Sequence, residues 1–385
     1  MKILFFSSYF FPYISGLTVY PKKILDYLSK KNYITVLTFS HENNLRHKET
    51  LKRLKIVRLP YFFRLSKGFI SPQSLFLFIQ YIKNNDLLLL NLPNFEGLAL
   101  AFFGKIFNKK VISIYHCQVF LDKSLFSKII FFFLNTSVLL QCWLSNVIIA
   151  HVEYVNYIDI GKIFRSKIKT VFPPIEKAIV NNKELFELIE LKKNNVWIGY
   201  SGRMASEKGL EYLINAVKII RNSNVLKTEL IFVGPKKNEV VGEKKYYDRI
   251  MDILKKNNMK CFFLGKLADK QMGAFYKSID IFVLPSINRT EAFGMAQVEA
   301  MLCGTPVVAS DLPGVRVPIQ LTKMGIITPP KDSMAIAEAI TTIINNRSQY
   351  TNKKLVLNAK LIFDIKKTYR FYDQLLKTMS LRGMK

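Results

Sequence analysis

Short, largely apolar runs alternate along the chain with stretches whose apolar positions recur every three or four residues. In the first half, Ile3–Phe6, Ile34–Phe39, Leu87–Leu90, Val111–Tyr115 and Val147–Ala150 read as strands buried on both faces, as in a parallel sheet covered by helices. After the first run, Tyr20, Ile24, Tyr27 and Leu28 share one face of a predicted helix. The pattern breaks at Pro173-Pro174 and at the polar, helix-prone stretch NNKELFELIELKKNN. It restarts with strands at Trp197–Tyr200, Leu230–Val233, Phe262–Leu264, Ile281–Leu284, Pro306–Ala309 and Gly325–Ile327. Helices are expected between them near Leu210–Ile220, Tyr246–Lys256, Lys270–Lys277, Met295–Leu302 and Met334–Ile344, with a last one over Lys360–Met379. Strand and helix thus alternate twice over, which predicts an α/β chain of two doubly wound, Rossmann-like domains. The expected division is 1–175, a linker 176–195, 196–360, and a C-terminal helix 361–385 packing back toward the first domain. Ligands of such sheets lie beyond the carboxyl ends of the strands, so the cleft between the domains is the expected active site.

Length and composition agree with this division. The chain has 385 residues, enough for two domains, and its 50% hydrophobic content can fill two cores. The charge is unusual: 57 Lys and Arg against 28 Asp and Glu leave +29. The excess is spread evenly, with 25 basic and 10 acidic side chains in residues 1–185 and 32 and 18 in the rest. Such a surface attracts phosphates, whether of an anionic membrane or of a nucleotide substrate. It reads equally well as the drift of a Lys- and Asn-rich composition. Cys117, Cys142, Cys261 and Cys303 lie far apart with no C-x-x-C pair, as expected of free thiols in a reducing cytosol. The opening MKILFFSSYFFP lacks a small-residue cleavage site and reads as a first strand. Residues 129–152 contain no Asp, Glu, Lys or Arg, but Asn135, Ser137, Gln141 and Ser145 favour a helix followed by a core strand over a membrane span. The protein is therefore expected in the cytoplasm, free or peripheral on the membrane.

Several chemistries are absent from the sequence. No G-x-G-x-x-G follows a predicted strand, and there is no G-x-x-x-x-G-K-[ST], Asp-x-Asp or G-x-S-x-G. The four histidines show no metal-ligand spacing, so no metal or other cofactor is expected. What remains is a site that holds phosphate with cationic side chains and helix ends.

Two stretches suit that chemistry. In YSGRMASEKGL, residues 200–210, Gly202 permits a tight turn at a strand end, and Gly209 lets the backbone pass close to a ligand or start a helix. Arg203 and Lys208 supply a fork-shaped and a point-like cation for a diphosphate. In PSINRTEAFGMAQVEAMLCGTPVVASDLPGV, residues 285–315, Glu291 sits in a loop before Phe293-Gly294 and a predicted helix, whose free N–H groups form an anion site. Glu299 follows eight residues after Glu291, within the helix. Carboxylates accept sugar hydroxyl protons, so the pair suits a phosphorylated sugar. Taken alone, each of these charges also reads as an ordinary solvated residue.

Together they closely resemble the retaining glycosyltransferases of the GT-B fold, glycosyltransferase family 4. The motif of Glu, Phe-Gly, a Glu eight residues on, Ala-Met, Cys-Gly, Pro-Val-Val-Ala and Pro-Gly is nearly complete, as is the segment from Gly202-Arg203 to Glu207-Lys208-Gly209. The resemblance implies that Arg203 and Lys208 bind the donor diphosphate and that Glu291 contacts the transferred sugar. It places Gly202, Phe293, Gly294 and Met295 near sugar and phosphate, and Glu299 on the ribose. Gly16, in an N-terminal loop reading Ser15-Gly16-Leu17 where many relatives have Gly-Gly, would approach the diphosphate from across the cleft. His116 would lie near the reacting sugar, and Leu264–Leu267, Leu267 included, near the base. The implied partners are a nucleotide-sugar donor and a sugar or lipid-linked acceptor held by residues 1–175, with no nucleic acid. The aromatic and basic segment Leu59–Ile82 suits a membrane interface or a lipid-linked acceptor, and equally an ordinary helix and loop. A nucleotide-sugar epimerase of the same fold, and a non-catalytic basic protein that binds membrane or nucleic acid, remain as alternatives.

Overall fold

The computed structural model describes residues 1–42, 44–65, 68–119, 125–151, 154–223, 226–235 and 243–381. Val152, which closes the long uncharged segment, lies outside them. The chain forms two compact units, one of Met1–Pro174 with Ile365–Lys385 and one of Ile175–Asp364.

Among its described residues unit 1 carries ten strands: β1 (Lys2–Phe6), β2 (Tyr33–Phe39), β3 (Lys48–Leu51), β4 (Leu54–Leu59), β5 (Phe63–Leu65), β6 (Gly68–Ile70), β7 (Leu87–Leu92), β8 (Lys110–Tyr115), β9 (Val147–Ala150) and β10 (Ile168–Thr170). Eight of them form one sheet in the order β10-β9-β8-β7-β1-β2-β4-β3, while β5 and β6 make a separate hairpin. Every pairing in the large sheet is parallel except β3 with β4. Its helices are α1 (Gly16–Leu28), α2 (Ser74–Lys83), α3 (Gly97–Ile106), α4 (Leu125–Leu144) and the short α5 (Asp159–Ile163). Alternation along the strands divides the core in two. Ile3 and Phe5 of β1 and Leu87 and Leu89 of β7 pack in one cluster with Tyr20 and Ile24 of α1. On the other face Phe6 meets Phe78 of α2 with ring centroids 5.6 Å apart. A side chain at Gly104 of α3 would lie 3.1 Å from Val111 and 3.3 Å from Leu88, so this helix sits close on β7 and β8.

Unit 2 begins with α6 (Asn182–Lys192), within the stretch expected as a linker, where Lys192 bonds Asp280 at 2.6 Å. Among the described residues six strands follow: β11 (Val196–Ser201), β12 (Thr228–Val233), β13 (Cys261–Gly265), β14 (Ile281–Leu284), β15 (Val307–Ser310) and β16 (Gly325–Thr328). The helices are α7 (Leu210–Asn222), α8 (Lys244–Lys256), α9 (Asp269–Ser278), α10 (Met295–Leu302), α11 (Arg316–Thr322), α12 (Ser333–Asn345), α13 (Arg347–Tyr350) and α14 (Lys353–Ile362). The sheet is parallel throughout and runs β13-β12-β11-β14-β15-β16, the 3-2-1-4-5-6 order of a doubly wound dinucleotide-type domain. The strand order reverses between β11 and β14, so the crevice at their carboxyl ends is where a ligand belongs.

The expected single helix Lys360–Met379 is two helices. After α14 the chain turns at Phe363-Asp364 and continues as α15 (Ile365–Leu381), which belongs to unit 1. There the Tyr372 hydroxyl lies 2.8 Å from that of Tyr20, and Tyr369 stacks on Tyr27 at 4.0 Å. Phe363 is buried against Phe293. Apolar spacing continues through this corner, and so the sequence pattern does not reveal it.

Candidate active site

The loop after β11 and the loop after β14 are joined at the reversal point of unit 2. Gly202 leaves β11 with φ of 149°, and its N–H donates to the Val233 carbonyl of the neighbouring strand, 2.9 Å away. The buried Tyr200 hydroxyl donates to the Arg203 carbonyl at 2.7 Å, which sets the path of the loop. Burial, with Glu291 and Glu207 nearby, holds that phenol well above its usual pKa. A single 3-10 turn, Ser206–Lys208, leads to Gly209 in the left-handed region (φ 61°), which caps α7. A side chain at Gly209 would strike the Pro285 carbonyl at 2.6 Å and Ile287 at 2.5 Å. The Ile287 N–H donates to the Glu207 carbonyl at 3.0 Å, completing the join.

This join brings the predicted charges together. The Lys208 ammonium pairs with the Glu291 carboxylate, with only 17% and 14% of the two side chains exposed. The Arg203 guanidinium pairs with Glu207 at 2.9 Å. Two cations and two carboxylates thus share one half-buried corner, held by backbone that carries no side-chain freedom of its own.

Gly294 adopts φ 74° and ψ 64° at the N-cap of α10 and offers no side chain to the first helical N–H groups. A Cβ there would lie 2.4 Å from Leu284 and 2.8 Å from the Gln297 amide nitrogen. Gln297 is fully buried and donates to the carbonyls of Phe293 (2.7 Å) and Val315 (3.0 Å), locking the start of the helix. Phe293 points into the core, and Met295 is half-buried at the first helical position. Glu299 accepts a hydrogen bond of 2.8 Å from Tyr276 of α9, whose phenol is pushed well above its usual pKa by burial and by that carboxylate.

Three strand ends converge beside these loops on glycine. A side chain at Gly234, after β12 with φ of 152°, would come within 2.0 Å of the Gly202 carbonyl, while its N–H donates to the Gly265 carbonyl of β13 at 2.9 Å. A cavity of about 140 Å³ opens there, lined by Gly202, Met204, Phe232, Gly234, Tyr247, Phe263 and Gly265 among others. Leu267 is half-buried two residues beyond β13 and is not among the lining residues. Sequence reasoning missed Gly234, although a glycine directly follows β11 and β12 and another ends β13, a pattern the sequence displays openly.

Gly16 and His116 belong to unit 1. Gly16 is exposed at the first position of α1, and the Ser15 N–H donates to the Thr18 hydroxyl at 2.9 Å. His116 follows β8, is buried, and has Nε2 2.6 Å from Oδ1 of Asn91 at the end of β7. Asn91 uses its amide nitrogen to donate to the Ser7 hydroxyl and to the Leu17 carbonyl, both at 2.9 Å. Its oxygen is thereby turned to the histidine, so Nε2 carries the hydrogen and Nδ1 is left as the acceptor. Burial, and then His151 with its ring 5.6 Å away, hold the His116 imidazole well below its usual pKa, which keeps it neutral. Asn91, a buried amide inside the apolar run LLLLNLP, is the positioning residue that the sequence reading passed over. Among the described residues no group of three or more His, Cys, Asp or Glu is placed to hold a metal ion.

Residues 181–361 match the family model described as Glycosyl transferases group 1. Unit 2 belongs to that family. The chain is 27% identical over 277 residues to the uncharacterized 41.2 kDa protein in the cps region of Klebsiella pneumoniae, covering 68% of this chain and 71% of that protein. It is 28% identical over 174 residues to the capsular polysaccharide biosynthesis glycosyltransferase CapM of Staphylococcus aureus, covering 45% of this chain and 43% of CapM. Its structure superposes on Anabaena HepE, solved in complex with UDP-glucose, with a TM-score of 0.78 at 20% identity, covering 98% of this chain and all of that one. The fold of the glycosyltransferase is therefore GT-B, built on two Rossmann-like parallel sheets.

Proposed function

We propose that the protein is a retaining glycosyltransferase that moves a sugar from a nucleoside diphosphate to a hydroxyl acceptor in surface polysaccharide or glycolipid synthesis. The observation that carries this reading is the corner at the reversal of the unit 2 sheet. Arg203, Lys208 and Glu291 meet there beside the uncapped start of α10. Departure of a nucleoside diphosphate builds negative charge on the β-phosphate, and two fixed cations with a helix N-terminus stabilise that charge as it forms. In the step itself the acceptor oxygen bonds to the anomeric carbon and the carbon–phosphate oxygen bond breaks. The acceptor proton passes to the departing phosphate. Glu291, held by Lys208, receives a sugar hydroxyl, Glu299 receives the ribose, and the glycine-lined cavity beside Gly202 takes the base. In unit 1, His116 offers Nδ1 as a neutral acceptor to the reacting sugar, and Gly16 lets the diphosphate approach. Retention rests on the family resemblance. The place in polysaccharide synthesis draws on CapM and the cps-region protein, and the choice of donor class on HepE and its UDP-glucose.

The test is incubation with UDP-, GDP- and ADP-sugars, with and without EDTA, followed by NMR of the products. Transfer to an added acceptor with the donor's anomeric configuration kept, undiminished by EDTA, is expected. Conversion of the donor sugar without any acceptor would instead establish the epimerase.

A further inference from the structure

The outer face of unit 1 is inverted along one helix. Over its 20 residues α4 presents Leu125, Ile129, Phe132, Phe133, Leu140 and Trp143 to solvent, with Phe132 and Trp143 each 65% exposed. Its buried side carries Ser137, Gln141 and Cys142. Inside, Ser137 donates to the Phe95 carbonyl at 3.0 Å, and the Gln141 amide nitrogen donates to the Asn94 carbonyl at 2.9 Å. At about 100° per residue the exposed side chains fall in one stripe, and at about 1.5 Å per residue it runs for about 27 Å. The adjacent α3 adds Phe102 and Ile106, and α2 beyond it adds Leu75 and Phe76, the last 76% exposed. A face of this extent is not what a protein surrounded only by water maintains.

Its charge says what covers it. None of α2, α3 and α4 contains an Asp or Glu, whereas Lys83, Lys105 and Lys128 stand exposed on them. The Lys167 ammonium donates to the Trp143 carbonyl at 2.6 Å, at the end of the stripe. Lys105 is held below its usual pKa by burial and then by Lys167 and Lys110. A second copy docked on this face about a two-fold axis would set these lysines against each other. No helix among the described residues is long and apolar enough to cross a membrane.

We propose that the α2–α3–α4 face of unit 1 docks on an anionic lipid bilayer, its aromatic stripe at the boundary of headgroups and acyl chains and its lysines on the headgroups. This inference stands apart from the donor chemistry, since none of these residues is in the site of unit 2.

The chain has its own reporter. Of its two tryptophans, Trp143 is on the stripe and Trp197 is fully buried in β11. The full chain is titrated with vesicles of phosphatidylcholine alone and with about 30 mol% phosphatidylglycerol, at low and high salt. Trp143 emission should shift to the blue and be quenched by brominated acyl chains only with the anionic vesicles. The double variant Phe132→Asn/Phe133→Asn should lower the partition coefficient about tenfold or more, because it removes two rings from the apolar phase. Lys105→Glu/Lys128→Glu should abolish the preference for anionic lipid. Both variants should keep the wild-type thermal midpoint and nucleotide binding. The proposal is overturned if there is no shift with anionic vesicles, if binding ignores the lipid charge or the Asn substitutions, or if a solution dimer is abolished by those same substitutions.

Discussion

Removing the charge of Lys208 should harm stability and turnover separately, and the two effects can be told apart. A Lys208→Met substitution leaves the Glu291 carboxylate, 14% exposed, without its ammonium. Its remaining neighbour, the Ser286 hydroxyl, is 3.5 Å away, too far to compensate. Breaking a fully buried pair costs about 3–5 kcal/mol, and an exposed one about 0–1. With roughly one sixth of each side chain in contact with water, this pair should cost about 2–3 kcal/mol. Glu291→Gln leaves the ammonium alone and should cost a similar amount. The double variant Lys208→Met/Glu291→Gln leaves no charge and should recover to within about 1 kcal/mol of wild type, a coupling of about 3–5 kcal/mol. Turnover should not recover, because both the diphosphate cation and the sugar contact are gone. A loss of at least about 100-fold, or about 2.7 kcal/mol of transition-state stabilisation, is expected in all three. Urea unfolding in a Trp143→Phe background, followed by the fluorescence of Trp197 in β11, reads unit 2 alone. Additive stability effects, or a double variant that turns over as well as wild type, would refute the reasoning.

Other substitutions test the remaining parts. Asn91→Asp faces the His116 imidazole with a carboxylate and should raise its pKa; between about pH 5 and 8 the variant's rate should then fall as pH drops, in a profile where wild type is flat. Gly234→Ala forces a side chain into the left-handed region and against the Gly202 carbonyl at 2.0 Å, so unit 2 should lose about 3 kcal/mol and its cavity should bind nucleotide more weakly by calorimetry. Burial depresses the His151 pKa to about 4, so the unfolded chain binds the proton first as pH falls below about 6.5. Stability present above about 6.5 should therefore drain away down to about pH 4, by up to about 3 kcal/mol from this residue; His151→Gln should flatten that slope in unfolding measured across pH.

Much of the architecture was legible because buried parallel strands are nearly all apolar, and the expected strands of unit 2 differ from those observed only at their ends. Of the five strands that escaped notice, β3, β4, β5, β6 and β10, all but β6 carry charge. In β4, Lys55 is exposed, and Arg58 is buried with its two terminal guanidinium nitrogens bonded to Glu49 and to the carbonyls of Arg46 and Phe11. A buried, ion-paired arginine looks in sequence like a solvated one. β10 has three residues at a sheet edge with Lys169 exposed, too short and too polar to register. The site was legible as residue types but not as pairings. Lys208 and Glu291 are 83 positions apart, and nothing local in either motif says that they meet. The Asn91–His116 contact joins the ends of adjacent strands and likewise needs the sheet order to be seen. The inverted polarity of α4 was half visible: the sequence showed a long uncharged helix, whereas only the fold shows that its aromatic side faces outward.

The central claim is that the corner formed by Arg203, Lys208 and the start of α10 grips the diphosphate of a sugar donor. Isothermal titration of UDP, GDP and ADP into the wild-type protein, and into Arg203→Ala and Lys208→Ala, measures this directly. One of the three nucleotides should bind the wild type, and each substitution should weaken it at least about tenfold, since a charge-assisted bond contributes about 1.5–3 kcal/mol. Undiminished binding by both variants, or no binding of any nucleotide by the wild type, would contradict it.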